Sequence, residues 1–200
     1  MGRVQAQAMM SLDGYVAKHD NSIGRLFDWL QNGTVAMPTP AGDIEIHLSP
    51  SSAEHWRLWV SSLGVLVCGR RLFDVTNGWN GRHSLDVPVI VVTHDIPTEW
   101  LEAHPGAPFT FVTEGVDAAI ARAQEIVGDR IVSVTGGTIA RQCLELGLLD
   151  EVALNLVPVV MGEGNRPFFG RLPSSDYLFG NPTLCVQGDR VIHLVFPVVK

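Results

Sequence analysis

The sequence predicts an α/β protein with a mostly parallel sheet, helices on both faces of that sheet and an antiparallel hairpin at its C-terminal edge. Short apolar segments alternate with segments of helical periodicity along the whole chain, which is typical of parallel strands joined by crossover helices. The apolar segments are continuous rather than alternating with polar residues, as expected of strands buried on both faces. The last two have no helical pattern between them, so we expect them to pair antiparallel.

Each predicted strand is a short apolar run, several of them rich in β-branched residues. The predicted strands are Val4–Met9, Val65–Cys68, Val87–Thr93, Phe109–Val112, Ile131–Thr135, Glu151–Val160 and Arg190–Val198. Helical spacing of apolar residues predicts helices at Ala53–Ser62, Val116–Val127 and Thr138–Leu146. Gly128 and Gly147 are placed to end the last two helices. Pro158 places the end of its strand at an edge or a bulge, because proline cannot donate a ladder hydrogen bond.

One long segment, Gln31–Ser49, has no clear period. At roughly twenty residues it is long for a plain connection, so we expect an insertion, a lid or a flexible loop. We find no internal repeat and no linker, and residues 1–200 are therefore predicted to form a single domain.

The composition excludes several classes of protein. The chain has 200 residues, is 46% hydrophobic and carries a formal net charge of −7, which argues against a disordered chain and against a protein that binds a nucleic-acid backbone. No apolar run approaches the roughly 18 residues that would span a bilayer. The N-terminal residues lack the basic-then-apolar layout of a secretory signal. We therefore expect a soluble cytoplasmic protein with no membrane partner.

The cysteine and histidine patterns predict neither disulfides nor a metal site. Cys68, Cys143 and Cys185 are far apart, and each has apolar neighbours, so we expect small buried thiols. The seven histidines show no paired spacing, and the sequence has no Cys/His cluster. We therefore expect no zinc site.

The residues that follow the predicted strands are the first candidates for ligand binding, because ligands of open α/β sheets gather at the carboxyl ends of strands. Gly69-Arg70-Arg71 offers two guanidinium groups where a helix begins, and Thr93-His94 follows the next strand. A guanidinium matches a phosphate bidentately, and positive charge at a helix N-terminus favours an anionic partner. The alternative is a solvated start of a helix.

A second candidate is the turn Thr135-Gly136-Gly137-Thr138, which joins a predicted strand to a predicted helix. Two glycines would let a phosphate approach the backbone N–H groups and the positive end of that helix. The alternative is a tight strand-to-helix turn that binds nothing.

Three acids lie near the expected mouth of the site. Asp13 follows the first strand and would either bind amino or hydroxyl groups of a substrate or brace the turn. Asp28, in the motif LFDWL, and Glu54, at the start of a helix, are candidates to protonate or hydrogen-bond a substrate. Glu54 also suits a purely structural role as a partner of the helix dipole.

Several familiar motifs are absent. The sequence contains no G-x-G-x-x-G, no G-x-x-x-x-G-K-[ST] and no G-x-S-x-G, and no cysteine stands out as an activated nucleophile. Electrostatic and redox roles remain for the polar residues.

The order and spacing of several motifs resemble the dihydrofolate reductase-like family that includes the C-terminal reductase domain of bacterial RibD proteins, in particular its stand-alone members. The motifs are MSLDGYVA, FDWL, GRRLFD, VPVIVVTHD, FTFVTEGVDAAIARA, VSVTGGTIARQ and LGLLDEVALNLVPVVMGEG, and they cover nearly the whole chain. The H-x-E and P-C-x-x-C motifs of a zinc deaminase are not present.

The resemblance implies a dihydrofolate reductase-like sheet that binds NADPH, and it implies a homodimer. The residues implied to hold the adenosine 2′-phosphate are Gly69, Arg70, Arg71, Thr93 and His94, and those implied near the pyrophosphate are Thr135, Gly136, Gly137 and Thr138. Ala8 and Met9, in the stretch that ends at Asp13, are implied to border the nicotinamide and the substrate.

We therefore expect an NADPH-dependent reductase that transfers a hydride to a C=N or C=O carbon of a small heterocyclic or ribosylamino-type substrate. Asp13 or Asp28 would orient the substrate or relay a proton, with Glu54 as a third candidate. The alternatives are a true 5-amino-6-(5-phosphoribosylamino)uracil reductase, a dihydrofolate reductase, or an NADP(H)-binding module without catalysis.

Overall fold

The centre of the molecule is a large mixed sheet, seen in a computed structural model that describes residues 1–173 and 176–199. The strands are β1 (Val4–Ser11), β2 (Tyr15–Ala17), β3 (Val35–Pro38), β4 (Glu45–Leu48), β5 (Leu63–Gly69), β6 (Val89–Val92), β7 (Phe109–Val112), β8 (Ile131–Thr135), β9 (Glu151–Val157), β10 (Arg166–Pro167), β11 (Leu184–Gln187) and β12 (Ile192–Pro197). Within the described residues, eight of them form one sheet in the order β11-β12-β9-β1-β8-β5-β6-β7. The six strands from β9 to β7 in this order run parallel, whereas β12 and β11 are antiparallel to their neighbours.

Helices cover both faces of the sheet. They are α1 (Pro50–Ser62), α2 (Arg70–Val75), α3 (Thr98–Ala103), α4 (Val116–Val127) and α5 (Thr138–Glu145). One core cluster joins buried residues of α4 and α5 to strands β1, β5 and β8, and a second joins Phe73 of α2 and Trp100 of α3 to β5, β6 and β7. Helix α1 packs on the second face, where Ala53 belongs to a third cluster. The two layers of helices bury the parallel strands from both sides, as the apolar runs predict.

Strand β1 lies at the centre of the sheet, and its two faces differ in chemistry. It pairs with β8 on one side and β9 on the other, and successive side chains point to opposite faces. Ala6 and Ala8 pack in the cluster with α4 and α5. Gln5 and Met9 instead face α1: Gln5 accepts a hydrogen bond from Trp59, and Met9 packs beside Trp56.

The predicted mixed α/β architecture is confirmed, including the antiparallel pairing of the last two predicted strands, which are β9 and β12. The strand at this edge of the sheet, however, is β11, which the sequence did not predict. Strand β9 ends at Val157, directly before Pro158, so proline does mark the end of that strand.

At Gln31–Ser49, where we expected an insertion, a lid or a flexible loop, the structure contains two regular strands. Strands β3 and β4 form an antiparallel hairpin there, with Val35 opposite Leu48 and Met37 opposite Ile46. Ile46 and Leu48 are buried in the cluster that contains Ala53 of α1, so the base of the hairpin is part of the core. Its tip contacts the loop that precedes β6, because the Ala41 N–H donates to the Ser84 carbonyl at 3.0 Å.

The prediction of buried thiols is correct for two cysteines and wrong for the third. Cys68 and Cys143 are buried, and burial raises the pKa of each thiol to about 12, which makes them inert. Cys185 is exposed because it lies on the edge strand β11, where alternate side chains face outward.

Candidate functional site

The carboxyl ends of β5, β6 and β8 meet at one rim of the sheet, and each leads into a candidate segment. Gly69 ends β5 and packs against the first turn of α5: a Cβ added to Gly69 would lie 3.3 Å from Cγ1 of Ile139. The glycine thus allows the start of α2 to approach the start of α5 closely. The expected phosphate-binding segments are neighbours in space.

Arg70 and Thr93 are brought together at this rim. Arg70 Nη1 lies 3.3 Å from Thr93 Oγ1 and donates to the Asp95 carbonyl at 2.7 Å. Its Nε donates to Asp74 Oδ1 at 2.7 Å. The guanidinium is therefore held in one orientation, with part of its charge balanced by Asp74.

Arg71 and His94 lie on the same rim but are less constrained. Both are exposed, and neither makes a hydrogen bond to another residue in the part of the chain that the structure describes. Next to Arg70 is an open depression of about 350 Å³, whose lining includes Phe73 and Trp100 and also the acids Asp74 and Glu99. The Arg70 guanidinium next to an aromatic wall suits a planar ring that carries a phosphate.

The glycine turn before α5 packs closely against β1 and against residue 168. A Cβ on Gly136 would lie 3.2 Å from Cβ of Ala8, so only glycine fits there without displacing β1. Gly137 has a φ of 105°, a conformation that favours glycine, and its N–H donates to the Phe168 carbonyl. Helix α5 has no side-chain cap, and Thr138 at its first position is exposed.

The first N–H groups of a helix have no partner within the helix and carry its positive dipole end. In α5 the first backbone bond that closes a helical turn is donated by Arg141 to Gly137. Thr138 is exposed, whereas Ile139 and Ala140 are buried, so an anion at the rim would meet the helix start at Thr138.

Asp13 occupies the turn between β1 and β2, and both of its carboxylate oxygens accept hydrogen bonds. Ser11 Oγ donates to Oδ1 at 2.6 Å, and the N–H groups of Met161 and Gly162 donate to Oδ2 at 3.0 and 2.7 Å. These bonds lower the pKa of Asp13 to about 2, the Ser11 hydroxyl having the largest effect. The carboxylate ties the β1–β2 turn to residues 161–162, which favours the turn-bracing role over proton donation.

The three candidate acids are not joined to one another. Asp28 lies in a 3-10 turn and pairs with Arg25 at 2.8 Å. Glu54 is exposed on α1. No hydrogen bond connects any two of Asp13, Asp28 and Glu54 in the described ranges, so they form no carboxylate pair.

The sequence reasoning missed a polar cleft between α1 and the sheet. Its lining includes Gln7 of β1, His55 and Trp56 of α1, Asn155 of β9 and His193 of β12, and its enclosed part has a volume of about 20 Å³. The cleft adjoins the glycine turn, because the Gln7 carbonyl accepts the Gly136 N–H at 3.2 Å.

His193 is the most buried polar group of this cleft. Its Nε2 lies 2.9 Å from Ser52 Oγ and its Nδ1 2.6 Å from Asn155 Oδ1. The His55 ring lies 4.5 Å from the His193 ring. Burial, with a smaller contribution from His55, lowers the pKa of His193 to about 4, and burial also lowers the pKa of His55. Both rings are therefore neutral at pH 7.

A signal for this cleft exists in the sequence. Polar residues interrupt apolar strands at Gln5 and Gln7 in VQAQAMM, at Asn155 in EVALNLV and at His193 in VIHLVFP. The period of two in β1 places both glutamines on one face, and the strand register places Asn155 opposite His193. The prediction treated these strands as uniformly apolar, and it therefore did not include their polar face.

Metal sites and membrane-spanning helices are not seen in residues 1–173 and 176–199. No group of three or more His, Cys, Asp or Glu side chains there is arranged to hold a metal ion. None of the described helices has the length and apolarity needed to cross a membrane.

Comparison with solved structures shows that the chain has a dihydrofolate reductase-like fold. A protein from Shewanella sp. PV-4 provisionally assigned to riboflavin biosynthesis superposes with a TM-score of 0.67 at 20% identity, covering 99% of both chains. The dihydrofolate reductase of Enterococcus faecalis, solved with NADP(H) and the ligand RAB-propyl, gives a TM-score of 0.56 at 13% identity over 100% of this chain and 98% of that one. At such identities the likeness concerns the fold.

Sequence comparison gives one short match and one long one. A 94-residue segment, 45% of the chain, is 33% identical to the glutamate–tRNA ligase of Tropheryma whipplei, but it spans only 20% of that curated protein. The model of the RibD C-terminal domain family matches residues 3–185, which include the rim and the glycine turn but not His193 of the cleft. The chain belongs to the RibD C-terminal domain family.

Proposed function

We propose that the protein is an NADPH-dependent reductase that transfers a hydride to a C=N or C=O carbon of a small heterocyclic or ribosylamino-type substrate. The observation that carries the proposal is the meeting of two anion-binding features at one rim. These are Arg70 beside Thr93, at 3.3 Å, and the uncapped start of α5 behind Gly136 and Gly137. Membership of a reductase family and the fold shared with dihydrofolate reductases support it.

The residues at the rim fit a dinucleotide with a phosphorylated ribose. Arg70 and Arg71, with Thr93 and His94, would hold the 2′-phosphate. The segment from Thr135 to Thr138 would hold the bridging phosphates, because its glycines carry no side chains and its exposed Thr138 begins a helix without a side-chain cap. When bound, NADPH supplies the hydride, and the protein binds, orients and shields the two rings.

The substrate would lie where β1 meets the cleft under α1. Ala8 and Met9 follow Gln7, whose carbonyl bonds to Gly136 of the turn. Residues 7–9 of β1 therefore connect the expected nicotinamide position to the cleft. Trp56 and His55 give this position one aromatic wall.

Three acids are candidates to supply a proton to the substrate. Asp13 suits a fixed anion that braces the turn, because its low pKa keeps it ionised. Asp28 and Glu54 are the remaining candidates among the three acids to relay a proton, directly or through an ordered water molecule.

A cofactor-binding experiment tests the proposal. Dissociation constants for NADPH and NADH are measured by isothermal titration calorimetry for the wild type, Arg70→Ala, Arg71→Ala and the double variant. Each lost charge-assisted contact costs about 1.5–3 kcal/mol, so NADPH binding falls about tenfold or more per arginine. NADH has no 2′-phosphate, and its affinity changes much less.

The control is Arg57→Ala, which removes an exposed arginine on α1 and should leave the affinity for both cofactors unchanged. Equal losses for NADPH and NADH in the double variant would contradict the assignment of the 2′-phosphate. Tight NADPH binding without loss of nicotinamide absorbance, with the ribosylaminopyrimidine, dihydrofolate and simple imines or ketones, would point instead to a binding module.

A homodimer in the cytoplasm completes the proposal. The face of the sheet that carries Ile192 and Leu194 of β12 also carries Cys185 of the edge strand β11. Ile192 is 39% exposed and Cys185 is exposed. An apolar surface at the edge of a sheet is suited to pack against a second copy of the chain.

A further inference from the structure

Three side chains form a hydrogen-bonded chain beneath α1 that the proposed function does not use. Ser52 Oγ lies 2.9 Å from His193 Nε2, and His193 Nδ1 lies 2.6 Å from Asn155 Oδ1. Ser52 and His193 are each 1% exposed, whereas Asn155 lines the cleft. The chain thus connects a fully buried hydroxyl to a carboxamide that a ligand can reach.

The direction of the hydrogen bonds follows from the buried hydroxyl. A neutral imidazole has one donor and one acceptor nitrogen, and His193 is neutral because burial lowers its pKa to about 4. Nε2 is the single acceptor that Ser52 Oγ contacts within the described residues, so the hydroxyl proton goes to Nε2. The ring proton is then on Nδ1 and is donated to Asn155 Oδ1. The opposite tautomer would leave a buried hydroxyl proton without an acceptor, which is unfavourable.

The orientation of Asn155 is a consequence of this direction. Its oxygen is occupied by His193, and its Nδ2 has no hydrogen-bond acceptor in residues 1–173 and 176–199. The cleft therefore presents the two N–H groups of a carboxamide. We propose that His193 is a positioning residue that holds Asn155 as a hydrogen-bond donor, so that the site selects substrates with a carbonyl oxygen or an unprotonated ring nitrogen at this point. This selection rests on the proposed function, since it specifies the substrate of the same site.

The rest of the cleft agrees with a neutral acceptor. Its lining contains no Asp, Glu, Lys or Arg side chain, so a cationic ring with two donor groups would meet no carboxylate. The enclosed part, about 20 Å³, admits about one oxygen atom. The ring that bears this atom would lie outside the enclosed part, beside Trp56 and Trp59.

Two probes of the same size distinguish donor from acceptor recognition. The first is 2-pyridone, which presents a carbonyl oxygen, and the second is the 2-aminopyridinium cation, which presents only donors. Their affinities for the wild type, with NADPH present, are measured by ligand-observed NMR at a pH where the second probe is protonated. We expect 2-pyridone to bind about tenfold more tightly. Asn155→Asp replaces the donor with a carboxylate and should reverse the preference.

His193→Phe tests the positioning role. The phenyl ring retains packing against Trp29 and His55 but loses both hydrogen bonds, so Asn155 is free to rotate. The ratio of the two affinities should then fall to within about twofold, a change that a loss of stability alone would not produce. His47→Phe, on the hairpin at a half-buried site outside the cleft lining, is the matched control and should retain the wild-type ratio. Nitrogen-15 shifts of the His193 ring should report a proton on Nδ1.

Equal binding of the two probes, no binding of either, an unchanged preference in Asn155→Asp or a proton on Nε2 would each overturn the inference. NADPH affinity is measured in the same samples. A wild type that binds NADPH but shows no probe preference would contradict the role of His193 alone, whereas absence of NADPH binding would contradict the proposed function.

Discussion

Burial controls the protonation of two histidines, His83 and His193. His83 is 9% exposed and packs edge-on against Trp79, and burial lowers its pKa to about 4 although Asp43 acts in the opposite direction. His193 has a pKa of about 4 for the same main reason. Both are neutral in the folded protein at pH values at which they would be charged in the unfolded chain.

We predict that the protein loses stability as the pH falls from about 6.5 towards 4. Between the unfolded pKa of 6.5 and the folded pKa of about 4, the unfolded state binds more protons than the folded state. The free energy of unfolding therefore decreases as the pH falls through this range. Each histidine contributes up to about 1.4 kcal/mol per pH unit. Urea unfolding at a series of pH values measures this slope.

The variants His83→Gln and His193→Gln provide the control for this slope. Each should unfold with a shallower dependence on pH in the same window, whatever its stability at pH 7. A wild-type free energy of unfolding that is constant from pH 6.5 to 4.5 would show that the two rings are accessible to protons in the folded state.

The candidate site was predictable at those residues whose type alone restricts the backbone or carries charge. Gly136, Gly137 and Arg70 could be placed because a strand-to-helix turn and a strand end have known positions in an α/β sheet. For Asp13 the sequence left substrate binding and turn bracing open, since the bonds that lower its pKa come from Ser11 and from Met161 and Gly162, which are distant in the sequence. Sequence patterns do not show such long-range partners.

Among the secondary-structure elements, the β3–β4 hairpin shows where local patterns were overlooked. The run Ile44-Glu45-Ile46-His47-Leu48 alternates apolar and polar residues, which is the pattern of a half-buried strand. Pro38 and Pro40 interrupt the periodicity of the surrounding sequence, so the alternation in this short run was not recognised as a strand. The edge strand β11 is equally short, with four residues, and it alternates between half-buried and exposed positions.

The hairpin should contribute to stability through its base and not through its tip. Leu48 is fully buried, whereas Ile44 is 50% exposed. We predict that Leu48→Ala lowers the free energy of unfolding by about 2–5 kcal/mol, and that Ile44→Ala changes it by less than about 0.5 kcal/mol. Urea unfolding of the two variants measures both values. Similar small losses in both would mean that the hairpin opens as a lid in solution.

On the scale of the whole molecule, the sheet was predictable in kind but not in order. The alternation of strands and helices indicated parallel pairing and two covering layers, and both are present. The position of β1 between β8 and β9 depends on contacts between residues more than one hundred positions apart, such as Gln5 with Glu151 at 2.8 Å. No local pattern specifies such a pairing.

The proposed homodimer gives a prediction at this scale. Ile192→Lys places a charge on the outward face of β12 and should shift the protein to monomers, because a buried lysine at an apolar interface is unfavourable. Leu58→Lys, at a residue of α1 that is 66% exposed, is the control and should leave the mass unchanged. Sedimentation velocity measures the mass of each. A wild type that sediments as a monomer at high concentration would contradict the dimer.

The most direct test of the central claim is a crystal structure of the protein soaked with NADPH. We predict density for the 2′-phosphate beside Arg70 and Arg71, and density for the bridging phosphates at the first turn of α5, next to Gly136 and Gly137. The nicotinamide should lie against residues 8 and 9 of β1. A dinucleotide bound at another surface, or an empty rim at saturating NADPH, would contradict the account.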